Sequence, residues 1–272
     1  MEKTINILGT FEVPPLEVFR EAFTLHLADN SLILAQRNAE WCGHGPILEQ
    51  DIAITNISLD LLGQSRNFYQ YAAHCSASPP GEGITEITED TLAYLRTERE
   101  FKNCLLVEQP NGDWAKTILR QFLFSLYQYL HYQKLQYSRD EQFAAIAEKA
   151  LKEVAYHLRW SSEWVIRLGD GTSESHLRMS KAIEELWQFT GELFEPAEYE
   201  SMLVKDGISV DLPLLKEEWN NRINEVFAEA GLIIPEKVFM QTGGKKGIHS
   251  EYLGFILADL QYVQRAYPNS QW

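Results

Sequence analysis

Cysteine is scarce in this chain. There are three, Cys42, Cys75 and Cys104, with no close pair and no Cys-x-x-Cys spacing. That argues against a disulfide framework and against a thiolate zinc site, and the thiols read as buried or idle side chains in a reducing compartment. Long apolar runs are missing as well. The most apolar stretch, Leu32-Ile-Leu-Ala35, is broken at once by Gln36 and Arg37, so no membrane span of eighteen or more residues is expected. The start of the chain lacks a basic segment followed by an apolar stretch of signal-peptide length, so export is not expected and a soluble, cytoplasmic protein is. Basic charge is in short supply: 24 Lys and Arg stand against 39 Asp and Glu, a formal net charge of -15. Nucleic acid and anionic membranes are then poor partners, because long-range repulsion opposes both.

Strand signals are sparse too, whereas apolar residues recur three and four apart through most of the 272 residues. The pattern predicts an all-α protein. A first long helix is expected from Leu16 to Trp41, with Ala28-Asp-Asn-Ser31 as a candidate break. A second runs from Pro46 to His74, with Ile52, Ile54, Ile57, Leu61 and Phe68 inward. After a loop over Ser76 to Asp90, rich in Pro and Gly, a shorter helix is expected from Thr91 to Val107. Asp113 is a cap candidate for a third bundle helix that runs through Leu119, Phe122, Leu126 and Leu130 to Tyr137. A fourth covers Arg139 to Leu168 and stops at Gly169-Asp-Gly171. Further helices are expected at Ser173 to Phe194, Ala197 to Lys205, Leu212 to Ala230 and His249 to Tyr267. The economical reading is a four-helix bundle with additional C-terminal helices: an N-terminal extension at 1–24 and a single domain over 25–272.

Long four-helix bundles can hold a di-iron centre, built from a Glu on each of two helices and a Glu-x-x-His pair on each of two others. Glu153 and His157 are the nearest approach here, and they are four apart rather than three. Aligning on His157 puts Val154 at the Glu position; aligning on Glu153 puts Tyr156 at the His position. On the second helix the closest pattern is Asp60-Leu-Leu-Gly63, where glycine has nothing to ligate with. The third helix has no carboxylate between Asp113 and Asp140, and only His131 as a strong donor. Glu40 sits near the end of the first helix with Arg37 one turn before it. Two iron ions need about six protein ligands, and these residues do not supply them.

Buried carboxylates without a metal need other partners. Arg37, Glu40, Asp60, Gln64, Lys149, Glu153 and His157 are therefore expected to form a hydrogen-bonded, metal-free polar centre, the alternative for each being a solvated face. A single ion held by Glu153 and His157 is the minor reading, because residues four apart share a helix face. Separately, Gly243-Gly-Lys-Lys-Gly247 precedes a helix, and Lys245 and Lys246 stand out on an acidic chain as candidates for a phosphate or for an acidic partner surface.

Several ordered motifs carry a family resemblance. Glu40-Trp-Cys-Gly-His-Gly-Pro-Ile-Leu-Glu-Gln-Asp51, Leu59-Asp-Leu-Leu-Gly-Gln-Ser-Arg-Asn-Phe68 and Leu105-Leu-Val-Glu-Gln-Pro-Asn-Gly112 resemble the C subunits of bacterial phenylacetyl-CoA epoxidase complexes. So do Ala155-Tyr-His-Leu-Arg159, Leu186-Trp-Gln-Phe-Thr190, Thr242-Gly-Gly-Lys-Lys-Gly-Ile-His-Ser-Glu251 and Gln261-Tyr-Val-Gln-Arg265. The similarity runs from about residue 25 to the end, while the N-terminal stretch and the Pro79-Pro80 loop look longer than the family pattern. The resemblance implies a ferritin-like fold and a non-catalytic subunit beside a di-iron A subunit. That complex forms the ring epoxide of phenylacetyl-CoA with oxygen and electrons relayed from NADPH by a reductase. It implies no cofactor in this chain, the A subunit and other subunits as partners, a homodimer as a further option, and CoA as the source of a phosphate at Lys245 and Lys246. Trp160, Trp164 and Trp187 are candidate interface anchors, with core packing as the alternative. The competing readings are an independently active metal-dependent oxygenase of di-iron or mononuclear type and a ferritin-like iron store, both short of ligands.

Overall fold

The structure is a computed structural model that describes residues 15–76, 86–268 and 270. The Pro79-Pro80 loop and the first fourteen residues lie outside the described residues. Among the described residues there is no strand. Four long helices make the bundle: α1 (Leu16–Ala39), α2 (Leu48–Cys75), α5 (Trp114–Leu135) and α6 (Glu141–Gly169). α1 pairs with α2 and α5 with α6, while α2 and α6 meet along a thinner seam. Between the pairs come two short helices, α3 (Glu89–Tyr94) and α4 (Leu105–Glu108); after them follow α7 (Ser173–Leu186), α8 (Glu198–Lys205), α9 (Leu212–Glu229) and α10 (Glu251–Ala266). One continuous cluster of buried apolar side chains joins α1 to α10.

Local chemistry explains where the helices begin. Asp113 caps α5 through the N–H of Lys116 at 3.0 Å, and Asp140 caps α6 through those of Gln142 and Phe143. α5 is buried almost all round, from Ala115 to Leu135, as expected of a helix at the middle of the layers rather than at a surface. It carries Leu119, Phe122, Leu126 and Leu130 inside, but Tyr137 lies beyond its end and is exposed. On α2, Ile54, Ile57, Leu61 and Phe68 are buried, whereas Ile52 points outward.

Three expectations need correction. α1 runs without a break through Ala28-Asp-Asn-Ser31, because Asn30 and Ser31 donate to the carbonyls of His26 and Leu27 one turn back. It also begins at Leu16 with Phe19 and Phe23 buried, so no structural boundary falls at residue 24. The helix expected over Thr91 to Val107 is divided into α3, a single turn at Glu98–Glu100, an extended stretch and α4. Its backbone donors are taken from outside: Lys102 N–H by Asp29, Cys104 N–H by Asn30 and Leu105 N–H by Glu192, at 2.7–2.8 Å. With those donors satisfied by side chains, the helical ladder has no advantage there.

Candidate functional site

A row of amides and hydroxyls runs through the bundle between α1, α2 and α5. Asn38 of α1 donates to Gln121 of α5 at 2.7 Å, and Gln121 donates to Ser125 at 2.8 Å. One turn further along, Gln128 donates to Gln64 of α2 and to Tyr132, each at 3.3 Å. Gln64 in turn donates to Glu153 of α6 at 2.9 Å. His157 meets Asp60 at 3.0 Å through Nε2, while its Nδ1 has no partner among the described residues. Asp60 and Glu153 are only part-buried, so water meets some of their hydrogen-bonding capacity.

These donors do not fit a pair of iron ions. Neutral amides bind hard or borderline cations weakly beside carboxylate and imidazole, and the groups gathered across α2 and α6, Asp60, Glu153 and His157, are two carboxylates and one imidazole where about six ligands are needed. No group of three or more His, Cys, Asp or Glu that could hold a metal occurs among the described residues.

The seven residues expected to share one polar centre are divided. Asp60 with His157, and Gln64 with Glu153, do come together across α2 and α6. Arg37 and Glu40 do not join them. Arg37 donates to the carbonyl of Glu108 at 2.9 and 3.2 Å and to Glu40 at 3.0 Å, and Glu40 also receives Asn111. That cluster ties the end of α1 to the turn after α4; Glu40 already lies past the last helical residue. Beside it Arg120 is wholly buried, and burial followed by the charge of Arg37 pulls its pKa down to about 9. Lys149 is exposed on α6 and has no ion pair among the described residues.

The glycine-rich turn also corrects an expectation. Its backbone donors do hold an anion, but the anion is internal: the Glu192 carboxylate accepts the N–H of Gly243 at 2.8 Å and of Lys245 at 3.4 Å. Lys245 is buried, with its ammonium 3.0 Å from Glu200 and from the carbonyl of Glu195. It is therefore unavailable to an external phosphate. Lys246 is exposed, 4.0 Å from Glu195. Trp160 and Trp187 are buried and belong to the core, Trp160 donating to Gln50 at 3.1 Å; Trp164 is partly buried.

Sequence reasoning missed the main buried charge network. Asp29 of α1 pairs with Arg96, accepts from Tyr69 at 2.5 Å and takes the N–H of Lys102. His26 donates through Nδ1 to the Lys102 carbonyl, 2.7 Å away, and Glu108 binds His249 at 2.8 Å and the N–H of Ser250 at 2.7 Å. The signal was present: His26, Asp29 and Asn30 share a helix face at i, i+3 and i+4. Polar residues at that spacing in mid-helix mark a buried network as readily as a break. Every charge in it is internally matched, so it is a device for holding segments together. A surface groove of about 710 Å³ between Thr97–Arg99 and α10 shares no lining residue with the Asp60–His157 pair.

Residues 20–272 match the family described as phenylacetic acid catabolic protein. The chain is 50% identical over 251 residues to the C subunit of 1,2-phenylacetyl-CoA epoxidase from Escherichia coli strain K12, covering 92% of this chain and 98% of that protein. With an all-helical bundle and near end-to-end similarity, the chain belongs to the phenylacetic acid catabolic protein family.

Proposed function

We propose that this chain is a non-catalytic subunit of a phenylacetyl-CoA epoxidase, and that it supports a separate di-iron A subunit in which oxygen is activated. The 50% identity to the C subunit of the Escherichia coli epoxidase supports a place in such a complex. The observation that carries the non-catalytic role is the row Asn38, Gln121, Gln128 and Gln64, which fills the bundle centre with neutral amides. Asp60–His157 and Gln64–Glu153 then act as polar pins across the thin α2/α6 seam. They hold the two helix pairs in register without a metal. In this reading phenylacetyl-CoA, oxygen and iron meet in the A subunit, and this chain's contribution is to stabilise and orient it.

Co-expression with the A subunit, purification and metal analysis test the proposal. Co-elution is expected, with iron assigned to the A subunit and only traces in this chain purified alone from iron-rich medium. Near-stoichiometric iron in the isolated chain overturns the non-catalytic reading. Failure to associate with the A subunit overturns the supporting role.

A further inference from the structure

Asparagine is a thermolabile residue, and of the asparagines in this chain only Asn111 stands before a glycine. Gly112 has no side chain to keep its nitrogen from the neighbouring amide. It sits at φ +59°, and its N–H donates to no described residue. That nitrogen can close a cyclic imide on the Asn111 side chain. The bond from Gly112 N to Cγ forms, the bond from Cγ to Nδ2 breaks, and ammonia leaves with the proton of the N–H. Water then opens the ring at either carbonyl, giving aspartate or isoaspartate. The sum is an amide and water going to a carboxylate and ammonium, with no oxidant or reductant.

In the fold both ends of that amide are tied. Nδ2 donates to the carbonyl of Arg37 at 2.7 Å and to Glu40 at 2.8 Å. Oδ1 accepts from the buried Arg120 at 2.5 Å, and the main-chain carbonyl of Asn111 accepts from Thr117 at 3.1 Å. Ring closure turns Cγ toward Gly112 N and so breaks all three side-chain bonds, two of which are to charged groups. Those are the strong kind. The reaction therefore waits until the joint between the end of α1 and the start of α5 opens.

We propose that Asn111 is a latent deamidation site, guarded by Arg37, Glu40 and Arg120 and converted irreversibly to aspartate or isoaspartate when their joint opens. The product bars the way back. A carboxylate at position 111 has no N–H for the Arg37 carbonyl or for Glu40, and it repels both. Arg120 still holds one of its oxygens, so the converted chain keeps its tie to α5 and loses its tie to α1. The inference concerns this joint alone and stands apart from the epoxidase reading.

Peptide mass spectrometry of the full-length chain, incubated at neutral pH with and without urea, tests it by the mass shift from amide to acid. Conversion at Asn111 should be about a hundredfold slower in the folded chain than in the urea-unfolded one. Glu40→Ala, at an exposed position, should speed conversion in the folded chain by about tenfold with unchanged circular dichroism. Ile146→Val should leave the rate as it is, because Ile146 is buried near the start of α6, while Trp164 near the end of that helix packs on Trp114 beside the joint. Asn111→Asp, made directly, should accelerate amide exchange over residues 38–41 and not over 120–125. A folded chain that converts as fast as the unfolded one overturns the proposal, as does a chain that converts in neither state. So does a rate indifferent to Glu40→Ala, or one raised equally by Ile146→Val, since conversion then follows global unfolding. Unchanged exchange in Asn111→Asp overturns the one-way character of the switch.

Discussion

Neither ring nitrogen of His131 finds a partner among the described residues, and burial holds its pKa at about 3. His26 is likewise held at about 3, by burial first and then by the charge of Lys245. Both imidazoles are neutral in the fold, while in the unfolded chain they bind protons near pH 6.5. Stability is therefore complete above about pH 6.5 and is lost as pH falls toward about 3, with a loss of about 2 kcal/mol per imidazole by pH 5. His131→Leu should flatten that acid slope and add about 1 kcal/mol at neutral pH, because two unbonded nitrogens leave the core. Urea unfolding at pH 5 and pH 7.5 measures both effects. The two lysines of the glycine-rich turn should behave oppositely. Lys245→Met leaves the buried Glu200 unpaired and should cost about 3–5 kcal/mol, whereas Lys246→Met, at an exposed position, should change thermal stability by less than about 0.5 kcal/mol.

α10 is fastened at its start by one carboxylate. His249 points both nitrogens at acceptors, Nδ1 at Glu108 and Nε2 at the carbonyl of Phe101, 2.8 and 2.9 Å away, an arrangement that suits the charged ring. Burial opposes that charge, yet the hydrogen bond and charge of Glu108, with the Phe101 carbonyl, raise the pKa above its ordinary value. The stabilisation is full below about pH 6.5 and is lost as pH rises through the raised value. Amide exchange at Leu253 and Gly254, corrected for intrinsic base catalysis, should accelerate from neutral to mildly alkaline pH; His249→Gln should abolish that dependence. The long helices were legible because capping residues and apolar periodicity are local: Asp113 and Gly169 mark ends without reference to the rest of the fold. Residues 91–107 were not, because Asp29, Asn30 and Glu192 lie far off in sequence and take the donors that a helix there needed. Ile52 fell on the wrong side of α2 because that helix has two apolar faces, and periodicity alone cannot say which one the bundle uses.

Across the whole molecule, the candidate site was half legible. The four-residue spacing of Glu153 and His157, and glycine at position 63, were plain in the sequence and already argued against a paired Glu-x-x-His set. The amides that fill the centre were not. Asn38, Gln121 and Gln128 are ordinary residues on any helix until three helices bring them to hydrogen-bonding distance. Lys149 and Arg37 were assigned to the centre on spacing along their own helices, which fixes a face but not the height of a neighbour. The internal anion at the glycine-rich turn also bears on how the chain is made. A ribosome releases Glu108, Glu192 and Glu200 well before Lys245, His249 and Ser250, the residues that neutralise or bond them. Until residues 243–250 emerge, three carboxylates destined for the interior have no complete set of partners. The N-terminal helices can collapse early, but they cannot close. A chain cut before Gly243 is thus an unfinished interior, with its charge facing a space that only residues 243–250 fill.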